Sequence, residues 1–160
     1  MNDQTALFVK MALDGWNGQN KRLTDLVNKL SDEQLLAETA PGRNTGIYLL
    51  GHLIAVSDGL LPLLGFGQRF YPEWEQVFLR NPDNSGLPKP GITELRTALV
   101  KVNAELDAHF AKMQPADWLA KHTTVSAEDF AKEPHRNKLN VLLSRTAHTA
   151  YHLGQMVYLG

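Results

Sequence analysis

Apolar residues recur along most of the chain at steps of three and four positions, the period of an amphipathic helix. The first such segment covers about residues 3–30. Ser31 and Gln34 then have the spacing of a capping box, in which a hydroxyl and an amide side chain satisfy free backbone groups. This spacing predicts a short second helix through Glu38.

The next segment, residues 45–64, is apolar on nearly every side, with Asn44 or Thr45 placed to cap its first turn. A helix without a polar face belongs in the interior of a protein. A long connection follows at residues 68–91, rich first in aromatic residues and then in Pro, Gly and Asn. Connections of this length in a small domain often cover a site, and we expect that here.

Two further helices are predicted, one from Thr93 that ends before Pro115 and one over residues 137–159. No segment alternates between apolar and polar residues over the length of a strand. Four long helices joined by connections predict an all-α four-helix bundle, with short extra helices in the connections.

Composition narrows the functional classes. The chain has 160 residues, with 16 Lys and Arg against 17 Asp and Glu, so its net charge at pH 7 is −1. Because this balance gives no broad attraction for phosphate backbones or anionic lipids, we expect neither a nucleic acid nor a membrane as partner. The length suits one domain over residues 1–160.

The N-terminal sequence predicts where the protein resides. Residues 1–5 lack the basic start of a signal peptide, and no uninterrupted apolar run reaches the roughly 18 to 20 residues of a membrane span. We therefore expect a cytoplasmic protein.

The chain contains no cysteine and six histidines. The absence of cysteine excludes disulfides, thiolate metal ligands and a cysteine nucleophile together. Any metal ion would therefore be bound by imidazole or carboxylate groups, which directs attention to the histidines.

Three histidines form a candidate metal site. His148 and His152 lie four residues apart on the last predicted helix, so one helical turn brings their rings to the same side. His52 lies in the middle of the apolar second long helix, where an imidazole without a partner would lose its hydration with no interaction to compensate for the loss. Its neighbours are small and predict space beside the ring for another helix or a ligand: Gly51, Ala55 and Gly59.

A helical projection gives a competing interpretation. It predicts the main apolar face of the last helix from four residues: Leu139, Leu143, Ala150 and Val157. The two histidines of that helix project to the opposite side, about 160 to 180 degrees away. Since Val141 and Leu159 share the histidines' side, that side has the mixed character of a cleft wall. Spacing alone leaves both interpretations open: metal ligands, or a polar pair and a satisfied interior histidine.

The sequence of the last helix, His-Thr-Ala-Tyr-His-Leu-Gly-Gln at 148–155, resembles the terminal motif of the DinB/YfiT-like superfamily, in which His-x-x-x-His is followed by Gly-Gln. Other segments are similar to that family as well: Leu-Ser-Asp-Glu-Gln-Leu at 30–35, Gly-His-Leu at 51–53 and Tyr-Pro-Glu-Trp at 71–74. The resemblance covers nearly the whole chain, although only the histidine motifs are specific.

The resemblance implies a four-helix bundle with one divalent metal ion, zinc or nickel, bound by one histidine of the second long helix and two of the last. The matching positions are His52, His148 and His152. Relatives in this superfamily include thiol S-transferases and thiol-dependent isomerases and hydrolases that act with low-molecular-weight thiols. It therefore also implies a small-molecule substrate, with any thiol supplied by a cosubstrate, and a homodimer.

Two neighbours of the histidine pair are further candidates. Gln155 can hydrogen-bond the ring of His152 from behind and select its tautomer. Tyr151 can donate a proton or orient a substrate, although its projection about 100 degrees from His152 favours a packing role.

An aromatic cluster in the long connection gives one more candidate for the lining of the site. Trp74, with Tyr71 and Phe78, either roofs the cleft or fastens the connection through its own ring contacts.

Three hypotheses about function follow. The first is a metal-dependent transferase or hydrolase that activates a thiol or water against a small electrophile. The second is a metal-binding or stress-associated bundle without turnover. The third is a structural or interaction bundle whose histidines are incidental.

Overall fold

The computed structural model describes residues 3–160; Met1 and Asn2, which belong to the segment examined for a signal peptide, lie outside the described residues. Eight α-helices occur in this part of the chain: α1 (Asp3–Lys29), α2 (Asp32–Leu36), α3 (Gly46–Asp58), α4 (Leu60–Leu64), α5 (Ile92–Phe110), α6 (Pro115–Trp118), α7 (Ala127–Lys132) and α8 (Lys138–Met156). A π-helical turn covers Gln76–Arg80, and 3-10 turns cover Asp83–Ser85 and Val157–Leu159. Residues 3–160 form no strand, so the all-α prediction is confirmed.

The four long helices form a bundle. Helix α1 packs against α5 and α8, and α3 packs against the same two helices, so α1 and α3 lie diagonally across the bundle from each other. Helix α3 is buried along almost its whole length, as its apolar sequence predicts. The four-helix bundle expected from the pattern is therefore present, and α3 and α8 are neighbours in it.

Local sequence signals set the starts of these helices. The predicted capping box of Ser31 and Gln34 is present at α2. Thr45, rather than Asn44, caps α3, because its hydroxyl accepts a hydrogen bond from the backbone N–H of Tyr48 at 3.3 Å. The same hydroxyl donates to the carboxylate of Asp83 at 2.8 Å, which ties the long connection to the start of α3.

The predicted helix over residues 45–64 is divided. Helix α3 ends at Asp58, and α4 begins at Leu60. The stretch Gly46–Leu64 has the length and the mean hydropathy, 1.7, of a membrane-spanning helix, so the prediction that no apolar run reaches this length is wrong. Yet 72% of its apolar window is buried inside the bundle, as in the core helix of a globular domain.

The buried face of α8 differs from the predicted one. Leu143 and Val157 are 49% and 50% exposed. The buried residues of this helix are instead Leu142, Thr149, Leu153 and Met156. Helix α8 carries apolar residues on two faces, and periodicity does not say which one meets the core. With this face of α8 turned toward the core, His148 and His152 lie at the edge of the core instead of on the opposite side of the helix.

Candidate metal centre

The structure brings His52, His148 and His152 together between α3 and α8. Nε2 of His148 lies 3.1 Å from Nε2 of His52 and 3.0 Å from Nε2 of His152. One ring nitrogen from each residue lies within 4.8 Å of the other two. All three side chains are half-buried. Residues 96 positions apart along the chain, His52 and His148, thus meet in one group.

The ring of His52 is oriented by the π-helical turn. Its Nδ1 lies 2.9 Å from the carbonyl oxygen of Phe78, and because a carbonyl only accepts, Nδ1 carries the proton and donates it. In the neutral ring, Nε2 then presents a lone pair to the other histidines. Burial lowers the pKa of His52, with smaller contributions from His152 and Arg145, while the Phe78 carbonyl opposes the shift.

The space predicted beside His52 is filled by the long connection. A Cβ added to Gly51 would lie 2.2 Å from ring atoms of Phe78, and one added to Gly59 would lie 2.8 Å from the guanidinium of Arg69. The small residues therefore do not leave room for another bundle helix or a ligand at these points. They admit the connection that supplies the carbonyl partner of His52.

The ring of His152 is oriented by Gln155. Its Nδ1 lies 2.7 Å from Oε1 of Gln155, one turn further along α8. Since an amide oxygen accepts, Nδ1 donates and Nε2 again presents a lone pair. The hydrogen bond expected between these two residues is present.

His148 lies at the centre of the group and has a different environment. Burial, then the neighbouring His152 and His52, then Arg145 lower its pKa to about 4. The ring is therefore neutral at pH 7. Its Nδ1 is buried and has no hydrogen-bond partner among residues 3–160.

These protonation states fit a bound cation. The lone pairs of His52 and His152 both face Nε2 of His148, and that atom carries at most one proton. One pair of nitrogens at about hydrogen-bond distance is thus left without a hydrogen between them, whereas a cation would satisfy all three lone pairs. Zn–N bonds of about 2.0–2.1 Å in tetrahedral geometry place ligand nitrogens about 3.3 Å apart, close to the distances observed. The three imidazoles therefore fit a divalent metal ion.

The remaining predicted site residues lie around this group. Tyr151 is 65% exposed, so it does not have the packing role that its projection favoured. Its ring meets that of His152 edge-on, with 5.0 Å between centroids. Trp74 is only 3% exposed and stacks on Tyr71 with 4.2 Å between centroids. These contacts match the alternative in which the aromatic cluster fastens the connection.

Sequence reasoning missed two elements of the site. The carbonyl of Phe78 is a backbone group, so the pattern of side chains does not predict its role as the partner of His52. Arg145 is the second missed element: it lies three residues before His148, and that spacing alone places it on the same face of α8.

The buried carboxylate of Asp58 accepts hydrogen bonds from the backbone N–H groups of residues 70 and 71, at 2.9 and 3.0 Å, and so holds the start of the connection.

Comparison with known protein families decides the relationship. The model of the DinB superfamily matches residues 16–156, which includes all three histidines. The chain belongs to the DinB superfamily. A search of curated proteins gives no significant match to it. Membership of the superfamily and the geometry of the three histidines agree on a metal-binding site between α3 and α8.

Proposed function

We propose that this DinB-superfamily protein is a divalent-metal-dependent enzyme whose three-histidine site activates a thiol cosubstrate or water. The observation that carries the proposal is the convergence of three Nε2 atoms, two of them on rings whose Nδ1 atoms are already committed as donors. We propose zinc or nickel as the ion, since imidazole ligands suit both.

The donor set favours a catalytic role over a structural one. Three neutral imidazoles leave the ion its full charge, and a tetrahedral ion with three protein ligands retains one position for another molecule. When bound, a divalent ion there lowers the pKa of a coordinated water or thiol and so supplies a nucleophile near neutral pH. Because the chain has no cysteine, the thiol comes from a second small molecule.

The residues of this chain have separable roles in the proposed reaction. His52, His148 and His152 bind the ion, while the Phe78 carbonyl and Gln155 fix the tautomers of two of them. The exposure of Tyr151 beside His152 supports a further role for it, contact with an incoming substrate. In the transferase reaction with a chlorinated acceptor, the thiol sulfur bonds to the electrophilic carbon, chloride departs with the electron pair of the broken bond, and the thiol proton passes to solvent. With an epoxide, the ring C–O bond breaks and its oxygen, which stays on the product, takes up a proton.

An activity screen tests the proposal. Metal-loaded protein is assayed with common low-molecular-weight thiols against a chlorinated and an epoxide acceptor, and with ester substrates for hydrolysis. The proposal expects saturable turnover that His152→Ala abolishes and that His135→Ala retains, since His135 is an exposed histidine outside the group. Stoichiometric metal binding without turnover in any of these assays would instead support the metal-binding bundle without catalysis.

A further inference from the structure

Arg145 is a half-buried cation without an anionic partner. Its Nε is buried and has no hydrogen-bond partner. None of the ion pairs in the described part of the chain includes this residue; Arg69, Arg80, Arg96 and Arg136, in contrast, all lie near carboxylates. Burial lowers the pKa of Arg145, yet a guanidinium remains protonated at neutral pH. An N–H group that is buried without an acceptor is unfavourable, and an anion bound beside the guanidinium would supply that acceptor.

Arg145 lies at the junction of two cavities; the three histidines line neither of them, but residues one helical turn from two of the histidines do. The cavities have volumes of about 470 and about 280 Å³, and both are lined by Leu63, Thr124 and Arg145. The first also includes Ser144, one helical turn before His148, and the second includes Val56, one turn after His52. The cleft defined by these two cavities therefore runs along the same sides of α3 and α8 as the histidines.

The ionised side chains that line the cleft are all positive. No Asp or Glu side chain lines either cavity. Arg136 pairs with Glu133 at 3.2 Å. Arg69 lies 3.7 Å from Glu75, a carboxylate that also pairs with Arg80 at 2.7 Å. Burial, with smaller contributions from Arg136 and Lys121, lowers the pKa of His122, so this lining residue is neutral at pH 7. Among the described residues that line the cleft, Arg145 is the arginine with no carboxylate within ion-pair distance, and the cleft has an excess of positive charge.

The position of Arg145 is also unfavourable for metal binding by itself. It lies three residues from His148, about 4.5 Å along the helix axis, and its charge would repel a divalent ion held by the three histidines. An anion bound between the two positive centres removes this repulsion. A guanidinium presents paired N–H donors that match the two oxygens of a carboxylate. The apolar side chains of Val56, Leu63 and Leu79 in the lining favour an anion with a carbon skeleton over inorganic phosphate.

We propose that the cleft beside the three histidines binds the carboxylate of a small organic molecule, with Arg145 as its partner and the apolar side chains of Val56, Leu63 and Leu79 against its carbon skeleton. The identification of this molecule as the substrate rests on the proposed function. The carboxylate site itself does not, because its binding can be measured in metal-free protein. If a substrate binds in this way, its carboxylate lies within about one helical turn of the group that reacts at the metal.

A titration followed by NMR tests the proposal. Sodium benzoate is added to the chelator-treated and the zinc-loaded protein, and the Nε–H resonance of Arg145 is identified as the one absent from Arg145→Lys. We expect a saturable shift of this resonance in both forms, with tighter binding in the zinc-loaded protein. Sodium chloride and inorganic phosphate, titrated in parallel at equal ionic strength, should bind more weakly than benzoate. Phosphate binding tighter than that of benzoate, or no saturable shift with benzoate, overturns the proposal.

Two variants separate recognition from bulk charge and from folding. Arg145→Gln should weaken benzoate binding about tenfold or more, whereas Arg22→Gln, which removes the same charge from an exposed position of α1, should change it less than about twofold. The melting temperature of Arg145→Gln should be no lower than that of the wild type, because no hydrogen bond or ion pair is lost. An equal loss of binding in both variants, or a lowered melting temperature in Arg145→Gln alone, would contradict a recognition role. Benzoate binding without any zinc binding would leave this inference standing and refute the proposed function instead.

Discussion

At the scale of single residues, the site depends on which nitrogen of each imidazole carries the proton. Gln155 and the Phe78 carbonyl each accept from an Nδ1, which leaves the opposite nitrogen of the ring free to ligate. Partners of this kind hold a ring in place and raise its affinity for a metal. The tautomers of His52 and His152 are therefore set by acceptors that belong to the fold itself.

Replacement of Gln155 should weaken metal binding without removing a ligand. For Gln155→Ala we expect metal affinity to fall about 10- to 100-fold, since the His152 ring loses its orienting acceptor. Gln155→Glu keeps an acceptor and should retain most of the affinity. Competition against a chelating dye measures both variants, and equal affinities for Gln155→Ala and the wild type would show that the hydrogen bond has no role in ligation.

Residue identities alone predicted part of this arrangement. The i, i+4 spacing of His148 and His152 and the i, i+3 spacing of Gln155 place those side chains together through helix geometry, which sequence determines directly. The partner of His52 could not be predicted, because it is a backbone carbonyl 26 positions away whose position depends on tertiary packing.

At the scale of structural elements, the π-helical turn Gln76–Arg80 connects the long connection to the centre of the bundle. The fully buried ring of Phe78 lies directly on Gly51 of α3, where no side chain fits. This close approach brings the carbonyl of the same residue to His52. The packing of the Phe78 ring against Gly51 thus also determines the orientation of the His52 ring.

Filling the space at Gly51 should disturb both the packing of Phe78 and the orientation of His52. Gly51→Ala forces Phe78 outward and should lower the free energy of unfolding by about 1–3 kcal/mol, the usual cost of overpacking a core, together with a loss of metal affinity. Gly154→Ala, at a helical glycine whose added Cβ meets no atom within 4 Å, is the matched control. It should be neutral or stabilising by up to about 1 kcal/mol. Urea unfolding measures the free energy of unfolding of both variants. Equal values would show that the Phe78 ring moves aside without loss of stability.

Elements were predictable where local chemistry defines them. The cap at Ser31 marks the start of α2 as predicted, and Asn137 caps α8 where the last helix was predicted to begin. The break at Gly59 and the orientation of α8 were not predictable, because they follow from contacts with other parts of the chain. Arg69 occupies the space beside Gly59, and α8 turns Leu142 rather than Leu143 toward the core.

At the scale of the whole molecule, the lowered pKa of His148, which lies between two packed helices, links stability to pH. The folded-state pKa of His148 is about 4, below its ordinary value of 6.5. Between these values the unfolded chain binds more protons than the folded chain, so acidification favours unfolding. The contribution of the neutral ring to the free energy of unfolding is complete above pH 6.5 and declines as the pH falls toward 4.

The homodimer expected from the family resemblance stays a prediction.

The metal-free protein should therefore lose stability as the pH falls through this window. His148→Gln replaces the ring with a neutral side chain that does not titrate, so its free energy of unfolding should vary less steeply over the same range. Urea unfolding in chelator at pH values above, within and below the window provides the comparison. A wild-type stability that is constant or rises on acidification would mean that His148 is not held neutral in the folded state.

The central claim is that His52, His148 and His152 together bind one divalent ion, and elemental analysis of purified protein tests it most directly. Wild-type protein and His135→Ala, which removes an exposed histidine, should each contain about one equivalent of zinc or nickel after exposure to either ion and removal of the excess. His52→Ala, His148→Ala and His152→Ala should each lose most of it while retaining helical circular dichroism. Metal content that is unchanged in all three variants, or equally low in the wild type, would contradict the account.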